Sequence, residues 1–478
     1  MNNFTKNLVA VLTLTLPFQA SAVDLLKAND FFKDKEYQQA LTLYQQGAKV
    51  GSAHAYYQLG MMHLKGLSVE KDLTNSFLYF ALAAEQNYAQ AQDILDSMLV
   101  GLEQQQLNII QTSLEQFKQE QKAYTSKYLP EIIEENLAYK VTFGGQPALE
   151  KKFFVDVPEM DTGIGYGYSY SEWGSSGGVI ISKPSFLIVE HDVATDGSVR
   201  NISKIQKAGL TSRYMNDYKL FPLAQPQFKG QAVEFPTRVF MGAAATDNFE
   251  LADQLPRLYG SIRAIVRKAE NSNSLHDQHQ YAMAMVNFPW LEEQPNQAKT
   301  LLKSLAQQGH PASMYEYGFK LYTEQKDIPE AVKWITEASK YGLARAEYRL
   351  AKLLTSSPWV KKDEKKALFW FESAMEKGHA AATLHAAKIK LTADDETLRD
   401  VEGAIEYLAM AQQSQTLNPE FFHLLAISYK DRPARDFKLV VENLERAIFM
   451  GSRANWDVSE WQALLAEFTT GNVTISAS

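Results

Sequence analysis

At 478 residues the chain is long enough for two or three domains, each able to bury a core of its own. Its net charge of -8 argues against a nucleic-acid partner, because phosphate binding needs a basic face. The absence of cysteine removes thiol catalysis, cysteine-ligated metal and disulfides, so stability must come from packing alone.

The N-terminus reads as an address. Lys6 precedes the apolar run Leu8 to Phe18, and Ala20-Ser21-Ala22 follows. A basic start, an apolar core too short to span a bilayer and a small-x-small site make a secretory signal peptide over residues 1–22. Cleavage after Ala22 leaves a mature chain starting at Val23, and no cysteine follows to carry a lipid. No later segment reaches about 18 consecutive apolar residues, so no transmembrane segment is expected in the mature chain. The expected location is secreted, and periplasmic in a double-membraned bacterium.

Residues 23–98 read as paired helices. Glu36 to Tyr44 places apolar residues three and four apart, and Gly51 provides a left-handed stop. Ala53 to Gly66 forms the next helix, with the small residues Ala55 and Gly60 allowing close approach. A turn at Ser68 to Asp72 leads into a helix from Leu73 to Gln86. Leu59-Gly60, Lys71-Asp72 and Ala81 to Ala84 in this order resemble the Sel1-like repeat, with Asn87 where a closing glycine is usual. Residues 99–138 form a Gln- and Glu-rich helical connector. Its Leu107, Ile110, Leu114 and Phe117 fall at helical spacing, as in a bridging helix packed on the first solenoid.

From Tyr139 the texture turns to glycine, valine and aromatics, and residues 139–265 are assigned to a β-rich domain. Gly163 to Gly178 is a Gly/Ser/Tyr-rich loop. Phe186 to Val193 and Val199 to Gln206 flank Asp196-Gly197, a strong hairpin signal. Gly209, a stretch around Arg213 to Asp217, Tyr218 to Pro222, Gly230 to Val233 and a last strand Glu234 to Met241 complete the order. Residues of about 184 to 242 thereby resemble the TonB C-terminal domain. Three features depart from that family: a short stretch for the helix, a mid-chain position and a cleavable signal in place of a membrane anchor. The resemblance implies an α+β fold and strand addition, in which an extended partner peptide pairs with a sheet edge. The edge it points to carries Val233, Glu234, Phe235, Thr237, Arg238 and Val239. Pro236 lacks an N–H and marks an edge, or guards it against unwanted pairing.

Residues 266–478 repeat the helix-pair scheme at a spacing of roughly 36 residues, the mark of a solenoid. Gly309, Gly342, Gly378 and Gly451 each close an apolar segment, with Ser414 filling the slot before Gly451. Ala331, Ala367 and Ala404 keep one row; Ala338, Ala374, Ala411 and Ala447 keep another. Ala312 to Gly318, Glu330 to Ala338 and Lys366 to Ala374 again resemble Sel1-like helices. Aromatics such as Tyr315, Tyr317, Trp334, Phe369 and Trp370 recur at helical spacing and read mostly as core, with an exposed minority able to line a concave groove. The runs Lys361-Lys362 and Lys365-Lys366, interrupted by Asp363 and Glu364, read as a solvated helix face.

Catalytic signals are thin. Gly174 to Gly178 satisfies Gly-x-Ser-x-Gly around Ser176, but the strand-turn-helix context of a nucleophile elbow is missing. His276 and His279, beside Asp277, could share a helix face around a metal, yet no third ligand is evident. His310 and His379 follow repeat-closing glycines at helix starts, and His191 lies in the hairpin. No catalytic residue, metal or cofactor is therefore assigned. The fold expected is mostly α with an α+β insert: two α-solenoid segments of Sel1-like helix pairs flanking a small TonB-C-terminal-like domain. The function expected is a periplasmic, non-enzymatic protein-binding adaptor of the cell envelope, gripping a protein or extended peptide. The rivals are a component of TonB-linked transport across the outer membrane, a serine hydrolase using Ser176, and an envelope module with a cell-wall ligand. Oligomeric state stays open.

Overall fold

The computed structural model describes residues 23–86, 88, 91–100, 104–144, 185–219, 223–242 and 247–469. The chain opens with helices α1 (Leu25–Lys33), α2 (Tyr37–Lys49), α3 (Ala53–Lys65), α4 (Leu73–Glu85), α5 (Ala91–Leu99) and α6 (Gln104–Thr125). A mixed region follows: β1 (Thr142–Gly144), β2 (Phe186–Val193), β3 (Val199–Ala208), α7 (Ser212–Lys219), β4 (Gln225–Phe228), β5 (Gln231–Ala232) and β6 (Phe235–Gly242). Helices then resume with α8 (Asn248–Gln254), α9 (Pro256–Glu270), α10 (Leu275–Asn287), α11 (Gln297–Gln307), α12 (Pro311–Thr323) and α13 (Ile328–Lys340). The last are α14 (Ala344–Ser356), α15 (Glu364–Glu376), α16 (Ala380–Thr392), α17 (Val401–Gln415), α18 (Pro419–Asp431), α19 (Phe437–Arg453) and α20 (Ser459–Thr469). Among the described residues no helix is long and apolar enough to cross a membrane.

The chain forms two compact units, each built from two segments. The first holds the described residues up to Glu134 together with Lys303–Gln415. In it α12 to α17 pack each on the next in chain order, as do α1 to α5, while α6 returns onto α4 and α2. The helix limits are set by caps. Asp327, Asp363 and His379 accept from the first free N–H groups of α13, α15 and α16. Gly309, Gly342 and Gly378 stand at φ of +88°, +84° and +80°, which a residue with a Cβ rarely adopts. Ala331, Ala367 and Ala404 are wholly buried, as are Ala338 and Ala374, so the alanine rows are the lines along which helices approach. Gly60 serves the same end: a Cβ there would sit 3.0 Å from the Phe80 ring.

The α-helix of the connector ends at Thr125, and a single 3-10 turn follows at Glu134–Asn136. Past Thr125 the Leu129 N–H still reaches the Thr125 carbonyl at 3.2 Å, and Pro130 has no N–H to carry the pattern on. Trp370 donates to the Tyr128 carbonyl at 2.9 Å, Lys366 to that of Leu129 at 2.9 Å, and Ile132 bridges Val360. Lys366 is therefore buried rather than solvated, unlike Lys361, Lys362 and Lys365. Its carboxylate partners are Glu131 at 3.2 Å and Asp363 at 3.6 Å. The N-terminal helices are thus joined to α12 to α17 in one unit, not set apart from them by the central region.

The second unit holds Glu135–Leu302 and Thr416–Ser478, described to residue 469. Its antiparallel sheet runs β3-β2-β6, with β2 central and buried along its whole length. Leu187, Val189, Val239 and Met241 pack with Met215 of α7 on one face. Phe186, Ile188 and Phe240 pack with Leu251, Ile262, Met285 and Phe288 of α8 to α10 and their flanks on the other. A smaller sheet runs β1-β4-β5. The β2–β3 turn is tethered to the C-terminal helices: Asp196 accepts from the Asp457 N–H at 2.8 Å, and Arg200 lies 4.1 Å over the Trp456 ring. Gly451 does not close a helix. It lies inside α19, which continues to Arg453, and its missing side chain makes room for Val458 and Trp461.

Candidate protein-binding surfaces

The strand expected to offer an edge is β6. It begins at Phe235 and ends at Gly242, so Val233 and Glu234 precede it, and the Val233 N–H is taken by the Pro226 carbonyl at 2.9 Å. It pairs with β2 from Phe235↔Val193 to Gly242↔Phe186, and among the described residues β2 is its one strand neighbour. The side chains turn inward more than the sequence suggests. Phe235 is buried and meets Phe143 edge to face at 5.6 Å. Arg238 pairs with the buried Glu190 at 3.2 Å, and Val239 joins the cluster around Met215. Thr237, opposite His191, is half-buried. Its named side chains are thus mostly engaged within the unit, while among the described residues its other edge has no strand neighbour.

The first unit holds a groove of about 440 Å³, lined by Tyr56, Leu82, Glu85, Lys118, Lys122 and Lys340 among others. Its lining is mostly polar and carries both signs of charge, Lys118 lying 3.7 Å from Glu85 and 3.9 Å from Glu115. Such a lining suits a polypeptide with mixed charge. The residues come from distant stretches of sequence, and no local motif marks them.

Two buried polar networks of this unit also escape the sequence pattern. Glu347 is fully buried; Lys377 Nζ lies 2.9 Å from both its oxygens and Ser373 Oγ donates to it at 2.8 Å. Burial pushes its carboxyl up to about 7, against the pull of Lys377. His54 lies 2.6 Å from both Tyr88 Oη and Asn29 Oδ1 and stacks on Tyr341. Burial lowers its ring to about 4.

The remaining candidates take plainer places. Ser176 and its glycine motif lie outside the described residues, as do the leader up to Ala22, Asn87, the loop Gly163 to Gly178, and Phe221-Pro222. Asp277, beside His276 and His279, accepts from Ser272 at 2.7 Å and pairs with Lys268 at 2.8 Å. Among the described residues no group of three or more His, Asp or Glu side chains could hold a metal ion. His191 Nε2 meets Tyr218 Oη at 2.7 Å. His310 and His379 are helix caps, each Nδ1 accepting a backbone N–H at 3.3 Å.

Comparison with known proteins now bears on these pieces. The Sel1 repeat family matches residues 53–88, 312–342 and 344–379, which are the α3–α4, α12–α13 and α14–α15 pairs. Among solved structures the chain is similar to a Sel1 repeat protein from Oxalobacter formigenes, at 19% identity and a TM-score of 0.31, over 41% of this chain and 88% of that one. It is also similar to a protective antigen of uropathogenic Escherichia coli strains described as displaying an SLR fold, at 15% identity and a TM-score of 0.35, over 93% and 78%. No curated protein matches the chain. These three stretches, the first more than two hundred positions from the others, fold into one unit, so the chain carries Sel1 repeats brought together from separate parts of its sequence.

Proposed function

We propose that this chain is a secreted, periplasmic, non-enzymatic adaptor of the cell envelope that binds protein partners. The observation that carries the reading is the Sel1 repeat itself, stacked helix pairs whose family generally mediates protein–protein interaction. The basic, apolar and small-x-small sequence of residues 1–22 supports export. Two surfaces do the binding: the groove beside α3, α4 and α6 for a folded or mixed-charge segment, and β6 for an extended peptide. For β6 the support is its place at the sheet margin, together with the resemblance of residues of about 184 to 242 to the TonB C-terminal domain. Strand addition there relies on backbone hydrogen bonds, which suits an edge whose side chains are mostly engaged.

The test places a photo-crosslinking residue at Thr237 of the full chain, in cells. A discrete crosslinked partner whose crosslinked peptide is an extended segment supports the reading, and an outer-membrane receptor's N-terminal peptide would place the chain in TonB-linked transport. No crosslinked partner at Thr237 sinks the role of β6.

A further inference from the structure

Val23 is 1% exposed and held from several sides. Its backbone nitrogen donates to Ser373 Oγ at 3.3 Å, inside the Glu347 network. Its carbonyl lies against Gly342, where any Cβ would overlap it, and Leu25 N donates to the Tyr341 carbonyl at 3.2 Å. Glu347 is fully buried and Lys377 is the cation bound to it, with Ser373 Oγ linking that pair to the Val23 nitrogen. A buried carboxylate needs close compensation, because charge buried without it is costly.

In the uncut chain the nitrogen of Val23 is a neutral amide with one N–H. Hydrolysis of the Ala22–Val23 bond by a signal-peptidase-class endopeptidase puts the hydroxyl of water on the Ala22 carbonyl carbon and its proton on the Val23 nitrogen. With an ordinary value of about 7.7–8.0, that amine takes up a further proton at neutral pH and becomes an ammonium with three donors. We propose that the α-ammonium of Val23, released by cleavage after Ala22, is the second cation of the Glu347 site, so that processing locks the start of α1 onto α14 and α15. The inference rests on the export reading above. It assigns the mature N-terminus a built receptor: Ser373 Oγ as the first acceptor, Glu347 as the counter-charge, and Gly342 as the gap that admits the Val23 backbone.

The experiment uses the mature chain released from a removable fusion in three forms: residues 23–478, residues 22–478, and residues 23–478 with the α-amine acetylated. The expected result is a melting temperature for the free Val23 form about 3 °C or more above both others. The gap should close in Glu347→Gln, or in Ser373→Ala if that variant does not fold. The free α-amine should also react with an amine-directed reagent at least about tenfold more slowly than in the denatured chain, an effect expected of a buried charge-assisted contact. Coincident melting of the three forms, or labelling at the denatured rate, overturns the docking. N-terminal sequencing of the exported full chain separates the two readings. A start other than Val23 overturns the processing step and the proposal with it, whereas a start at Val23 with coincident melting overturns the docking alone.

Discussion

A buried histidine sets an acid limit on the first unit. Asn29 Oδ1 accepts from Tyr44 at 2.8 Å and from His54 Nε2–H, so His54 Nδ1 is left to accept from Tyr88 Oη. The ring is neutral, with both nitrogens engaged, and burial holds it at about 4 against an ordinary 6.5. The folded value lies below the unfolded one, so the unfolded chain takes up the proton first. Stability from this site is complete above about 6.5 and is lost as pH falls towards 4, by up to roughly 3 kcal/mol. Urea midpoints of the wild type and His54→Gln at pH 7.5 and 4.5 check this. The wild type should lose more on acidification than the variant, and equal losses would contradict it. Two glycines make a second comparison at this scale. Gly342 and Gly378 share φ above +80° or close to it, but a Cβ at Gly342 meets the Val23 backbone while one at Gly378 meets nothing within 4 Å. Gly378→Ala should cost about 1 kcal/mol and Gly342→Ala roughly 2–3 kcal/mol, by denaturant unfolding.

At the scale of the element, the alanine rows explain why the repeats were readable. Ala331, Ala367 and Ala404 recur because helices cross there without room for more, and that need writes itself into the sequence at a fixed period. Ala367→Leu should therefore destabilise by about 1–3 kcal/mol, while Lys365→Leu, exposed on the same helix, should change stability by less than about 0.5 kcal/mol. Equal effects would mean the row is not a contact line. The same logic shows where reading stops. Gly451 has the local signature of Gly342, an apolar run closed by glycine, yet it packs against Val458 and Trp461 inside a continuing helix. Lys366 looks like its solvated neighbours because its acceptors, Leu129 O and Glu131, lie more than two hundred positions away. The Asp196-Gly197 turn was plain from sequence because φ of +79° at Gly197 is a local demand. Which β6 side chains face inward was not, since that depends on α7 and on Glu190 of β2.

For the whole molecule, the repeat period tells which helices are neighbours in the chain but not which distant ends meet. The sequence places two solenoids on either side of a central domain; in the structure α1 to α6 and α12 to α17 make one unit. The contacts that join them are single groups, such as Trp370 Nε1 on Tyr128 O and His54 on Tyr341, with no periodic signal of their own. The Glu347 site is the extreme case, gathering residues 23, 347, 373 and 377. Binding, the central claim, is tested most directly by crosslinking the tagged full chain in living cells and identifying the captured proteins by mass spectrometry. The account predicts a small, reproducible set of envelope proteins, with crosslinks mapping to β6 or to the groove lined by Tyr56, Glu85 and Lys122. A capture no different from that of an unrelated exported protein would contradict it.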